Sequence, residues 1–232
     1  KLSSEDKLLL PFIVEQLRDL IPEWAEAVTF SDEKVTDFDA VIATGSNNTA
    51  RYFEYYFGKK PHIIRKNRNS VAVLTGKETQ EELTALGKDI FQYYGLGCRS
   101  VSKLFVPENY SFDAFFQAIY AYRDIINEQK YANNYDYNKA VYLMSLYKLL
   151  ENGFLILKED KSYASPIPTL FYEYYTDTEA LKKQLITDAE QIQCVVAKGL
   201  LPDEIAFGNT QIPQLWEYAD NVDTLKFLSN LG

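Results

Sequence analysis

The spacing of hydrophobic positions alternates between helical and strand-like along this chain. Behind Ser3, Ser4, Glu5 and Asp6, the apolar run from Leu8 to Leu17 reads as a helix, because a serine accepts free N–H groups at a helix start and acidic residues suit the first turn. Val41-Ile42-Ala43 then gives way to Thr44-Gly45-Ser46 and to Asn47, Asn48 and Thr49, the order of a short buried strand, a tight turn and a helix N terminus. An aromatic helix over residues 52–57 follows. Next come a strand, a basic crossing segment with Arg65, Lys66 and Arg68, and a second strand through Val71, Ala72 and Val73. Residues 78–94 carry Leu83, Leu86, Ile90 and Phe91 at helical spacing with charges between them, an amphipathic helix. Past Gly95 and Gly97 the pattern becomes a loop and then a strand ending at Phe105-Val106-Pro107.

The second half continues the alternation. Residues 112–126 predict one amphipathic helix rich in Phe and Tyr, whose aromatics are expected in the core ahead of any acyl tunnel. Residues 130–139, polar and aromatic, read as a packed surface turn, with a loop near a site entrance as the other option. Strands are expected over 153–158, 169–175 and 191–197, and a helix over 177–185. Strands alternating with helices place the chain in the α/β class.

With 232 residues and 47% hydrophobic content the chain can bury a substantial core. A net charge of -9 and a pI near 4.8 argue against nucleic acid or an anionic membrane as partner, since phosphate binding needs clustered Lys and Arg. Two cysteines far apart, Cys98 and Cys194, give no disulfide framework, and no apolar run approaches the roughly 18 residues of a membrane span. A cytoplasmic location is expected. The one methionine is Met144, so Lys1 is not an initiator; the expectation is a processed N terminus or a piece of a longer protein.

Cys98 is the candidate for chemistry. Gly95 and Gly97 remove bulk on its upstream side, which lets a carbonyl and a backbone N–H approach the sulfur, and Arg99 beside it would favour the reactive thiolate. The alternative is a small apolar filler at a strand start. Cys194, between Ile192 and Val195, reads as buried and inert. His62, the sole histidine, reads as a turn or strand-edge residue after Pro61, with proton donation as the second option. Backbone N–H groups at the turn 44–46 form a seat for a phosphate or a nicotinamide ring at a strand's carboxyl end.

The run Gly-Leu-Gly-Cys-Arg-Ser-Val-Ser-Lys-Leu-Phe-Val-Pro around Cys98 resembles the nucleophile segment of the aldehyde dehydrogenase superfamily. More closely, it is similar to the acyl-CoA reductase branch known from the fatty-acid reductase of bacterial luminescence, and the match runs in register along nearly the whole chain. The resemblance implies a Rossmann-like cofactor domain whose second part is residues 1–63, a nucleophile domain over 64–200, and a tail over 201–232 packing back across both. It implies NADPH or NADH as cofactor, with Lys1 and Ser3 at the adenosine ribose and Thr44, Gly45 and Ser46 beside the nicotinamide. Leu2 departs from the family's proline. Residues 206–210 resemble the Pro-Phe-Gly-Gly turn near the superfamily's C terminus.

Two departures bear on the reaction. Ile64 stands where hydrolytic members carry the glutamate that activates water, and Ser162 stands where the family has a ribose-holding glutamate. An acyl-cysteine discharged by water needs a general base, whereas one discharged by hydride does not. The resemblance therefore implies an NAD(P)H-dependent reductase forming an acyl-cysteine from an acyl-CoA or acyl-protein donor and releasing a fatty aldehyde, with homo-oligomerisation open. Alternatives are reduction of an acyl phosphate, a Cys98 acyltransferase or hydrolase working with His62, and a non-catalytic remnant.

Overall fold

The structure, a computed structural model, describes residues 7–231 except 25, 32 and 34. Helix α1, Leu9–Leu20, ends where Ile21 leaves helical angles, and a 3-10 turn at Pro22–Trp24 follows. Strand β1 (Val41–Thr44), helix α2 (Asn47–Phe57) and strand β2 (His62–Arg65) make one parallel crossover unit in which Val41 faces His62 and Thr44 faces Arg65. Ser46 caps α2, its Oγ accepting the Thr49 N–H at 3.2 Å.

The chain then enters a larger sheet through β3 (Asn69–Val73), α3 (Gln80–Phe91), β4 (Val101–Pro107) and α4 (Asp113–Ile119). It continues with α5 (Gln129–Met144), β5 (Leu149–Glu151), β6 (Ile156–Glu159), β7 (Thr169–Tyr175), α6 (Thr178–Thr187), β8 (Ile192–Val196) and α7 (Thr224–Ser229). The six strands run in the order β5-β6-β7-β4-β3-β8. Every neighbouring pair is parallel except β5 with β6. Helices cover both faces, so the central strands are apolar on both: Ala72, Leu104 and Val106 pack with Leu86 and Phe115, while Val71, Val73 and Phe105 pack with Leu181 and Leu185.

Two expectations change. The helix expected over 112–126 is α-helical only to Ile119 and tightens to 3-10 geometry over Tyr120–Asn127. The surface turn expected over 130–139 is the helix α5. Its buried positions are Tyr131, Tyr135 and Asn138, spaced four and three apart on one face. Tyr131 Oη donates to the Phe154 carbonyl at 3.0 Å and Asn138 Nδ2 to the Ile167 carbonyl at 2.7 Å, so polar tips anchor this helix. A search for aliphatic periodicity passes over such a face.

Candidate active site

A cleft of about 940 Å³ opens where the carboxyl ends of β1 and β2 meet the segment leading into β4. Thr44 and Arg65 line one side, Cys98 and Arg99 the other. Ligands in α/β sheets sit at the carboxyl ends of strands; the cleft has that position on β1 and β2, and meets the larger sheet at the amino ends of β3 and β4.

Cys98 is the second residue of a turn closed by the Ser100 N–H on the Gly97 carbonyl at 2.9 Å, and it is exposed. From below, the wholly buried Ser70 donates its hydroxyl to the Cys98 carbonyl at 2.9 Å. The turn is thus tied to β3, and no backbone hydrogen bond among the described residues uses the Cys98 N–H. Just upstream, Tyr93 and Tyr94 hold left-handed angles, φ 55° and 59°, before Gly95 at φ 74°. Left-handed backbone costs a non-glycine residue roughly 1 kcal/mol, and such residues collect at functional sites. Nothing in the sequence marks these two tyrosines.

A second clamp comes from the C-terminal segment. Asp89, on α3, is the one fully buried carboxylate among the described residues. It accepts the Gly208 N–H at 2.6 Å, the Thr210 N–H at 3.0 Å and the Thr210 hydroxyl at 2.9 Å. Burial raises the Asp89 carboxyl above the ordinary carboxylate range, against the opposing pull of those donors. The Thr210 carbonyl in turn accepts from Arg99 Nε, and Gln211 Nε2 donates to Ser100 Oγ at 3.3 Å. Both residues after Cys98 are therefore held by the segment 208–211.

The cleft is cationic in an acidic protein. Arg65, Lys66, Arg68 and Arg99 line it against Glu217 and Asp220. Asp220 lies 3.9 Å from Arg68, Glu217 accepts the Gln214 N–H at 2.6 Å, and Lys66 pairs with Glu54 outside the cleft at 2.9 Å.

Of the other expected site residues, Thr44 lines the cleft, and Gly45 and Ser46 follow it directly into the cap of α2. A Cβ on Gly45 would stand 2.9 Å from the Thr49 side chain, so the turn needs glycine for close approach to the first turn of α2. Lys1 and Ser3 lie outside the described residues. His62 begins β2, three residues before Arg65, and its Nδ1 is 2.8 Å from the Lys60 carbonyl. It does not line the cleft that holds Cys98. Cys194 is buried as expected; burial pushes its thiol up, with Arg99 and a Ser70 hydrogen bond pulling the other way.

No group of three His, Cys, Asp or Glu suited to a metal occurs among the described residues, and no helix there is long and apolar enough to cross a membrane.

The fold is of the aldehyde dehydrogenase type. Among solved structures, the chain is similar to the indole-3-acetaldehyde dehydrogenase of P. syringae in complex with NAD+ and IAA, with 14% identity and a TM-score of 0.52 over 72% of this chain and 41% of that one. It is also similar to an NAD-dependent aldehyde dehydrogenase from Sinorhizobium meliloti, with 11% identity and a TM-score of 0.52 over 71% and 39%. An oxidoreductase from Marinobacter aquaeolei matches at 14% identity, with a TM-score of 0.52 over 71% and 41%. The chain thus spans about two fifths of the length of these structures. No protein-family profile matches the chain, and no curated protein does.

Proposed function

We propose that this chain carries the nucleophile of an NAD(P)H-dependent acyl-CoA reductase. The single observation that carries the reading is that exposed Cys98 and Thr44, at the end of β1, line one cleft. That cleft has a cationic wall suited to the phosphates of a dinucleotide or of coenzyme A.

The residues present fit a nicotinamide cofactor. Ser46 caps α2 by accepting the Thr49 N–H, and a helix N terminus of this kind favours an anion or a carboxamide. Thr44, Gly45 and Ser46 would hold the nicotinamide end. When bound, the reduced cofactor supplies a hydride. The Cys98 thiolate attacks the acyl carbonyl, the new S–C bond replacing the bond to the coenzyme A sulfur, which leaves as thiolate. The Cys98 N–H, which no backbone carbonyl among the described residues accepts, would be the donor to the oxyanion that forms. Once the acyl carbon has accepted hydride, collapse of that carbon's oxyanion breaks the Cys98 S–C bond and frees an aldehyde.

The end of β2 supports hydride over water as the species that discharges the acyl-cysteine. Ile64, opposite Ala43, and Arg65, opposite Thr44, supply no carboxylate base at that position. Coenzyme A thioesters stand ahead of acyl phosphates as the acyl donor, and competition between the two tests that order. With radiolabelled acyl-CoA and NADPH, the wild-type protein is expected to become acylated, consume NADPH and yield aldehyde. In Cys98→Ala both labelling and consumption are expected to vanish; persistence of either overturns the proposal.

A further inference from the structure

We infer that Asp89 and Thr210 are positioning residues for the nucleophile turn, acting through Arg99 to hold its guanidinium beside Cys98. The inference rests on Cys98 being the nucleophile, as proposed above, but not on the reaction that it performs.

Asp89 is unusual for a buried carboxylate. It meets no cation among its hydrogen-bond partners, and its donors all come from the segment 208–210, far away in sequence. Leaving such a carboxylate unsatisfied in the interior would cost several kcal/mol, so the segment and α3 dock as a unit. Gly208 makes the docking possible: its φ of 84° turns the chain, and a Cβ there would stand 3.0 Å from the Ala85 side chain on α3.

The consequence falls on Arg99. Because Thr210 is gripped at both its N–H and its hydroxyl, its carbonyl has one direction, and Arg99 binds it through Nε, the inner nitrogen. Arg99 lines the cleft with Cys98 and also the neighbouring cavity that holds Cys194, where its charge draws the buried thiol down. Gln211 adds the grip on Ser100. The turn is held from β3 by Ser70 and from α3 by Asp89 through Thr210. Without the second grip, Arg99 becomes an ordinary flexible side chain that points its charge where solvent prefers.

Alkylation of Cys98 by iodoacetate and by iodoacetamide, followed by mass spectrometry, separates this role from a purely structural one. The two reagents differ in charge, so their rate ratio reads the local cation and is indifferent to general loosening. Thr210→Val is expected to lower the iodoacetate-to-iodoacetamide ratio about fivefold, the scale of one charge at contact distance in water. Thr210→Ser, which keeps the hydroxyl, is expected to restore it. Arg99→Gln is expected to lower the ratio by as much, and Thr210→Val combined with Arg99→Gln no further, the signature of two changes acting on one interaction.

An unchanged ratio in Thr210→Val, or full additivity in the double variant, overturns the inference. If Thr210→Val does not fold, Thr210→Ala and Asp89→Asn decide by the same ratio. Because alkylation needs neither acyl-CoA nor NADPH, a protein that fails as a reductase can still pass this test, and the reverse.

Discussion

The larger sheet with its helices, from β3 to β8, and the chain before residue 66 differ in burial. From β3 onward nearly every large apolar side chain on the sheet is covered: Leu86, Leu104, Phe115, Ile119 and Leu157 are all wholly buried. Among the described residues before 66, only Val14, Ala50 and Ile63 count as buried hydrophobics, while Leu8, Leu9 and Leu20 are 81%, 73% and 77% exposed. The larger sheet is closed on both faces by α3, α4 and α6, whereas β1 and β2 pair only with each other. Among the described residues the larger sheet therefore holds most of the buried apolar surface, and the cleft joins a well-covered wall bearing Cys98 to a more exposed one bearing Thr44.

Phe115→Ala gives the largest effect this contrast predicts. Its ring is wholly buried against Phe112 and Phe116, so truncation opens a cavity in the main core and is expected to cost about 3–5 kcal/mol in urea unfolding. A loss below about 1 kcal/mol would mean that this core is not where stability resides.

Next in size is Asp89→Asn, which replaces an acceptor of three hydrogen bonds by an amide that also presents donors to donors. At neutral pH the expected loss is about 1.5–3 kcal/mol, the range for hydrogen bonds to a charged group. Its pH dependence has a definite sign. Burial raises the Asp89 carboxyl in the folded state, so its titration favours folding below the ordinary carboxylate range, and that contribution disappears as pH rises through the raised value. The stability difference between the wild type and Asp89→Asn should therefore be widest near pH 4 and narrow toward pH 7; urea titrations across that range read it, and a difference that widens with pH would contradict it.

Asp89 also marks how far the sequence can be read. β3, β4, β7 and β8 are legible because a strand buried on both faces is a short continuous apolar run, and the turn at 44–46 is legible because Gly and Ser punctuate it. The exposure of Cys98 followed from its glycine-flanked loop. By contrast, Asp89 sits in α3 beside Lys88 and reads as an ordinary solvated charge, since its partners lie 119 and 121 positions later. Tyr93 and Tyr94 are hidden for a different reason: tyrosine has no local preference for positive φ, so nothing in their identity announces the left-handed turn. Helix α5 escaped because tyrosine rings with bonded tips, rather than aliphatic residues, make its buried face.

The smallest expected effect tests the weaker side of the contrast. Phe12 lies on α1 and is 58% exposed, so Phe12→Ser removes little buried area and is expected to change the unfolding free energy by no more than about 0.5 kcal/mol. The same change is expected to reduce binding of a hydrophobic dye such as ANS, because Phe12 belongs with Leu9, Ile13 and Leu20 to an apolar surface open to water. The pair of measurements matters more than either alone. A phenylalanine in the larger sheet costs stability and leaves dye binding alone, while one on α1 does the reverse. If Phe12→Ser instead costs 2 kcal/mol or more with no change in dye binding, then α1 is covered in solution, and the two walls of the cleft are more alike than their exposures indicate.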